Sequence, residues 1–312
     1  MKLIFMGTPD FSVGALKALI EAGHEIQAVV TQPDKPKGRG KAVLMTPVKE
    51  VALEHGIPVY QPVRIRKEPE FIETLRAMEP DAMVVVAFGQ ILPKEVLDIP
   101  RYGCVNIHAS LLPKYRGAAP IQWAVIDGER ESGVTTMLMD EGLDTGDMLE
   151  KAVVVLDEKE TGGSLHDKLS EAGGRLIVST LKKLEEGTAV RTPQGETPTA
   201  YARMLDKSLG DIDWTMDAAA IERLIRGLNP WPSAYTSLEG KTLKIWAADV
   251  LAEGSDGEPG EVLRVGKDAV FVKTGEGTLA IKELQLEGKK RMDAGAFLRG
   301  FSLEPGAVFR KR

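Results

Sequence analysis

Leu3-Ile4-Phe5-Met6-Gly7-Thr8-Pro9-Asp10 decides how the chain begins to fold. Four consecutive apolar residues are the pattern of a short strand buried on both faces, and the Gly-Thr-Pro-Asp run breaks it. Phe11 to Ala22 then carries Val13, Leu16, Leu19 and Ile20 at helical spacing, which completes a strand-turn-helix unit. The alternation continues outward. Strands are expected at Ile26 to Thr31, Ile57 to Tyr60, Ala82 to Ala87 and Cys104 to His108, with helices near Pro47 to His55 and Pro69 to Met78. Such alternation implies a mainly parallel sheet covered by helices.

A long helical stretch, Ser164 to Glu186, presents Leu165, Leu169, Leu176, Ile177, Leu181 and Leu184 and ends at Gly187. Periodicity is then lost from Thr188 to Ser208, where Pro, Gly and Thr accumulate as in an exposed connection. Ala218 to Leu228 reads as one helix. Short strands are expected at Thr242 to Ala247, Gly260 to Val265, Ala269 to Lys273 and Thr278 to Leu286, with Gly-rich turns that suggest a small barrel.

At 312 residues, two domains are the default expectation. Hydrophobic residues at 43% and charged residues at 28% match a globular chain rather than a disordered one. No apolar run is long enough to span a bilayer and no cleavage-type signal opens the chain, so the cytoplasm is the expected compartment. Cys104 is the single cysteine and the four histidines are scattered, which excludes an internal disulfide and a cysteine-cluster zinc site. No structural metal is expected. The net charge of −6 means that any nucleic-acid partner must meet a local basic patch.

Strand alternation places Cys104, Asn106 and His108 on one face and Val105 and Ile107 on the other. Ligands of open α/β sheets bind beyond the carboxyl ends of strands, so Asn106 and His108 stand where chemistry is expected. By themselves the two polar residues could equally satisfy backbone groups at a strand end. No Gly-x-Gly-x-x-Gly follows the first strand, which argues against a nicotinamide cofactor. His24, His55 and His166 lie at helix ends and receive no function, and Cys104 reads as packing.

The run Asn106 to Pro120, together with Leu143-Asp144-Thr145-Gly146, resembles the signature of formyltransferases that use 10-formyltetrahydrofolate. Phe5 to Phe11, Ala87 to Pro93, Asp211-Ile212-Asp213-Trp214 and Asn229-Pro230-Trp231-Pro232 are similar to members of that family that formylate initiator methionyl-tRNA, and the resemblance covers the whole chain. It implies a catalytic trio of Asn106, His108 and Asp144. From spacing alone Asp144 would read first as a turn-capping carboxylate. The resemblance further implies that Ser110, Leu111, Leu112 and Pro113 lie against the folate and that Phe88, Gly89 and Ile91 line a pterin pocket. The chemistry suits these residue types. An amide such as that of Asn106 can stabilise the oxyanion formed when an amine attacks a formyl carbon, His108 can donate a second hydrogen bond, and a carboxylate-imidazole pair can move the protons.

For the acceptor, Gln32 to Lys41 sets four cations against one carboxylate in a long loop. The resemblance implies that Lys37, Arg39 and Lys41 reach toward a tRNA acceptor arm. Residues 209–312 hold fifteen Lys/Arg against sixteen Asp/Glu, so bulk charge does not mark them as RNA-binding. Lys289-Lys290-Arg291 and Arg310-Lys311-Arg312 are the visible basic clusters, and a small barrel bearing them would suit backbone contacts to RNA. Either cluster could equally be a solubilising run.

The expected whole is an α/β protein: a Rossmann-like, mainly parallel sheet with helices on both faces, then a smaller C-terminal β-barrel of OB-like form. Residues 1–187 are expected to form the catalytic domain, 188–208 a linker and 209–312 the tRNA-binding barrel, in a monomer. Small-amine formyltransferases, a formyltetrahydrofolate hydrolase and a noncatalytic folate- or RNA-binding module remain the competing readings.

Overall fold

The first strand of the computed structural model, β1 (Lys2–Gly7), is buried from Leu3 to Met6 and hydrogen-bonds in parallel on both sides. The structure describes residues 1–36, 43–252, 254 and 256–312. The expected acceptor-loop cations Lys37, Arg39 and Lys41 lie outside the described residues.

Beyond β1 come β2 (Glu25–Val30), β3 (Val59–Tyr60), β4 (Ala82–Val86), β5 (Cys104–His108), β6 (Glu131–Leu138) and β7 (Met148–Val155). They form one seven-stranded sheet in the order β3-β2-β1-β4-β5-β6-β7. The first five are mutually parallel. β6 runs antiparallel to β5, and β7 antiparallel to β6. The sheet is therefore mixed, a departure from the uniform pattern of its first half.

The helices flanking these strands start as their sequences direct. α1 (Val13–Glu21) buries Ala15, Leu16 and Leu19. α2 (Pro47–Glu54) has Pro47 at its first position and is capped by Thr46, whose hydroxyl accepts from Lys49 N at 3.1 Å. α3 (Pro69–Ala77) begins on Pro69 in the same way. After α4 (Lys94–Leu97) and α5 (Pro120–Ile126), the longest helix is α6 (Gly162–Glu186). No helix of the described residues is long and apolar enough to cross a membrane.

The chain divides into two compact units that are interleaved in sequence. One contains residues 1–120, 131–155 and 166–202; the other contains 121–130, 156–165 and 203–312. Residues 188–202 of the stretch that sequence reading assigns to a connection thus group with the first unit, where Thr192 exchanges backbone hydrogen bonds with Met148 at 2.8 and 2.9 Å.

In the second unit, α7 (Ala218–Gly227) is capped by Asp217 and buries Ile221, Leu224 and Ile225. Strands β8 (Ala234–Leu238), β9 (Lys241–Leu251), β10 (Val262–Val265), β11 (Val270–Lys273) and β12 (Thr278–Leu286) form an antiparallel sheet in the order β8-β9-β12-β11-β10, with β13 (Met292–Asp293) beside β12 and followed by α8 (Ala294–Gly300). The C-terminal tail bridges both edges of this sheet. Arg310 exchanges backbone bonds with Ser237 of β8, while Phe309 N donates to Gly260 O at 2.7 Å and Val262 N to Ala307 O at 2.8 Å. Those bonds close the sheet on itself around Ile245, Val262, Val272, Ile281 and Phe309.

Candidate active site

Parallel β1, β2, β4 and β5 end at one edge of the sheet, and their exits are tied together there. Thr8 Oγ1 and Gln32 Nε2 both donate to the Phe88 carbonyl, at 3.0 and 3.2 Å. Val85 of β4 pairs with Asn106 of β5, so Phe88 and Gly89 leave the sheet beside the end of β5.

Asn106 and His108 share a face of β5, as strand alternation demands. Asn106 Nδ2 donates to Val85 O at 3.1 Å, which fixes the amide plane and leaves one amide N–H uncommitted. Its Oδ1 is buried with no hydrogen-bond partner among the described residues. A buried acceptor left unpaired by the protein suits a ligand N–H.

His108 is 7% exposed. Its Nε2 lies 2.8 Å from the Tyr115 carbonyl, and a carbonyl only accepts, so Nε2 carries a proton. In the neutral ring Nδ1 is then the bare nitrogen. That nitrogen faces Asp144 Oδ1 at 3.7 Å, too far for a direct hydrogen bond. The second carboxylate oxygen of Asp144 accepts from Gly117 N at 2.9 Å.

Backbone conformation at this edge is unusual. Ala87, Tyr115 and Asp144 all occupy the left-handed region, with φ of 45°, 54° and 57°. Each costs on the order of 1–3 kcal/mol in a non-glycine residue, and such costs concentrate where function requires a particular geometry. At Tyr115 the turn supplies the carbonyl that orients His108. Gly117 has φ +124°, and a Cβ there would lie 2.6 Å from Ala202 O, so the loop can close on Asp144 only with glycine.

The folate-side expectations divide by accessibility. Ser110 is fully buried with its hydroxyl donated to Lys114 O at 2.6 Å, and Leu112 is fully buried against Met137 and Met148. Phe88 is 2% exposed and belongs to the core around Ile4, Met6 and Val30. Leu111 and Pro113 are half-buried, while Gly89 and Ile91 are exposed, and these four retain surface for a ligand. Thr135 Oγ1 braces the loop by donating to Ser110 O and accepting from Leu112 N. Cys104 is buried, and burial pushes its thiol up to about 12, far from a reactive thiolate.

On the second unit, Lys289 and Lys290 are exposed in the turn between β12 and β13. Arg291 is committed: its guanidinium pairs with both oxygens of Glu283 at 2.6 and 2.7 Å and sits 4.6 Å from the Trp246 ring centre.

Residues 1–181 match the family described as formyl transferase, and residues 204–302 match the formyl transferase C-terminal domain. A methionyl-tRNA formyltransferase from Agathobacter rectalis is 62% identical over 309 residues, covering 99% of both chains, and one from Clostridium novyi is 54% identical over 99% of this chain and all of its own. The chain belongs to the methionyl-tRNA formyltransferase family. Structural similarity reaches further at the level of fold. An N-formyltransferase from Helicobacter canadensis, crystallised with folinic acid and dTDP-3-aminofucose, superposes with a TM-score of 0.68 at 17% identity over 94% of this chain and all of that one. HypX from Aquifex aeolicus, in complex with tetrahydrofolic acid, gives 0.65 at 20% identity over this entire chain and 51% of its own.

Four residues around Asn106, His108 and Asp144 carry contacts that local sequence patterns do not announce: Tyr115 and Gly117 nearby in sequence, and Gln194 and Thr199 from the aperiodic stretch. Gln194 Nε2 donates to Asp144 O, and Thr199 Oγ1 accepts from Tyr115 N, both at 2.8 Å. Their signal is spatial, across 50 and 84 residues of sequence.

Proposed function

We propose that this chain transfers the formyl group of 10-formyltetrahydrofolate to the α-amino group of initiator methionyl-tRNA at the carboxyl end of β5, with Asn106, His108 and Asp144 as its catalytic residues. The observation that carries the reading is the His108–Asp144 pair: a ring whose Nε2–H is fixed by Tyr115, with bare Nδ1 3.7 Å from a carboxylate.

The α-amine of the acceptor must shed its ammonium proton before it can attack. Nδ1 and Asp144 Oδ1 give it two acceptors, and loss of a proton to Nδ1 makes it nucleophilic. The resulting imidazolium faces the carboxylate, an attraction of about 4.5 kcal/mol at an effective dielectric of about 20. Attack on the formyl carbon places negative charge on its oxygen, which the uncommitted Asn106 N–H stabilises by about 3–4 kcal/mol. As the bond from carbon to the folate nitrogen breaks, His108 gives its proton to that nitrogen, and the vacated Nδ1 takes the second proton from the new formamide nitrogen and releases it to water. Within the carboxylate-imidazole pair, the imidazole thus carries the proton and Asp144 holds its charge.

Transfer chemistry is assigned to residues 1–187 and contact with the acceptor arm to 209–312 beyond a connection at 188–208. Lys37, Arg39 and Lys41, with Lys289 and Lys290, are proposed to meet RNA phosphates; Arg291, also proposed for that surface, is engaged by Glu283 and serves it through Trp246. The enzyme is proposed to act as a cytoplasmic monomer. Supplying 10-formyltetrahydrofolate with methionyl initiator tRNA, with a small amine, or with neither tests the function. Transfer to the tRNA is expected; hydrolysis alone, or transfer only to the small amine, overturns it.

A further inference from the structure

The segment 191–202 is exposed except at Gln194, Thr199 and Ala202. All three inward residues land on the loops that place the trio. Ala202 N donates to Arg116 O at 2.8 Å, and Ala202 O accepts from Ala118 N and Ala119 N. Thr199 Oγ1 accepts from the backbone N–H of Tyr115, the residue whose carbonyl orients His108. Gln194 Nε2 donates at 2.8 Å to the carbonyls of both Asp144 and Gly146, while its Oε1 accepts from Arg116 Nε at 3.0 Å. Arg116 also donates to Gly195 O at 2.9 Å.

Resting on the reading of Asp144 given above, we infer that Gln194 is a positioning residue for the formyl transfer, holding the Asp144 loop at the geometry that sets its carboxylate against His108. The amide is held at both ends, so its orientation is unambiguous: two carbonyls demand the NH2 group, and the Arg116 N–H demands the oxygen. One side chain thus satisfies both ends of the Asp144–Gly146 turn. Asp144 itself is left-handed at φ 57°, a conformation that persists only where surrounding bonds over-determine it. A carboxylate of equal size would aim an oxygen at two carbonyl oxygens and could not substitute. Misplacement of a reacting group by about 1 Å costs about 10²-fold in rate, so a clamp this close to Asp144 acts on turnover rather than on folate affinity.

The test compares Gln194→Ala, Gln194→Glu, Asp144→Asn and the Gln194→Ala/Asp144→Asn double variant in formyl transfer to methionyl-tRNA, with thermal melting to establish folding. Both Gln194 variants are expected to lose about 10- to 100-fold in kcat with little change in KM for 10-formyltetrahydrofolate. Added to Asp144→Asn, Gln194→Ala should cost nothing further, because its effect passes through Asp144. A Gln194→Glu enzyme with wild-type kcat, or Gln194 losses that multiply with that of Asp144→Asn, would reduce Gln194 to a structural filler and overturn the inference. Should Asp144→Asn alone retain its rate, the reading of Asp144 fails and the clamp fails with it, an outcome distinct from loss of the clamp alone.

Discussion

Replacing Asp144 by asparagine isolates charge from shape. Asparagine tolerates φ near +57° better than other residues, and its amide oxygen can keep the bond from Gly117 N, so the loop should retain its fold. What disappears is the negative charge 3.7 Å from His108 Nδ1. At that distance the attraction for an imidazolium is about 4.5 kcal/mol with an effective dielectric of about 20. The Asp144 side chain is 23% exposed, so water screens part of this, and roughly half, about 2–3 kcal/mol, is the expected net loss. At 1.36 kcal/mol per decade that is about 30- to 150-fold in rate. The assay is steady-state transfer of labelled formyl to methionyl-tRNA, with binding of folate and tRNA measured separately. Expected are a fall of this size in kcat and unchanged binding. A kcat within about threefold of wild type would refute the role of the charge.

Asn106→Ala removes the remaining oxyanion donor and is expected to lower kcat by about 10²- to 10³-fold with a small change in folate KM, as steady-state kinetics would show. Gly117→Ala puts a Cβ 2.6 Å from Ala202 O at φ +124°, and should lower the melting temperature and kcat together; a normal melt with normal turnover would contradict it. Lys289→Ala and Lys290→Ala should each weaken tRNA binding and reduce the salt slope by about 1 while folate binding holds, whereas Arg291→Ala should cost stability through Glu283 and Trp246. Burial pushes the Glu150 carboxyl up, but bonds from Lys183, Thr180 and Ser179 outweigh it and hold the group below its ordinary 4.5. A depressed folded value means stabilisation present above 4.5 and lost as pH falls through that lower value. The melting-temperature gap between wild type and Glu150→Gln should therefore be open at neutral pH and close in acid.

The parallel half of the sheet was legible because its strands are short apolar runs separated by amphipathic helices, and Asn106 and His108 were legible because period-two alternation has only one outcome. β6 was not read. Half of its six buried positions are polar, Ser132, Thr135 and Thr136, and their polarity disguises a core strand. The hydroxyls are tolerated there because Thr135 bonds Ser110 O and Thr136 bonds Thr180 Oγ1. Gly133, another weak strand former, is required because a Cβ would fall 2.2 Å from Ala152 O. Four strands of the barrel were visible in their β-branched runs, while its closure depends on tail residues whose pairing has no local signature. Gln194 shows the same limit at the site: a polar residue in a Pro/Gly/Thr-rich stretch gives no sign that its partners lie around residue 144.

The most direct measurement is a single turnover, in which enzyme preloaded with 10-formyltetrahydrofolate is mixed with methionyl initiator tRNA and formylmethionyl-tRNA is followed in time, for the wild type and an Asn106→Ala/Asp144→Asn double variant. The account predicts that the wild type formylates the tRNA and that the double variant binds both substrates yet transfers slower by at least about 10²-fold. Wild-type transfer by the double variant would contradict it.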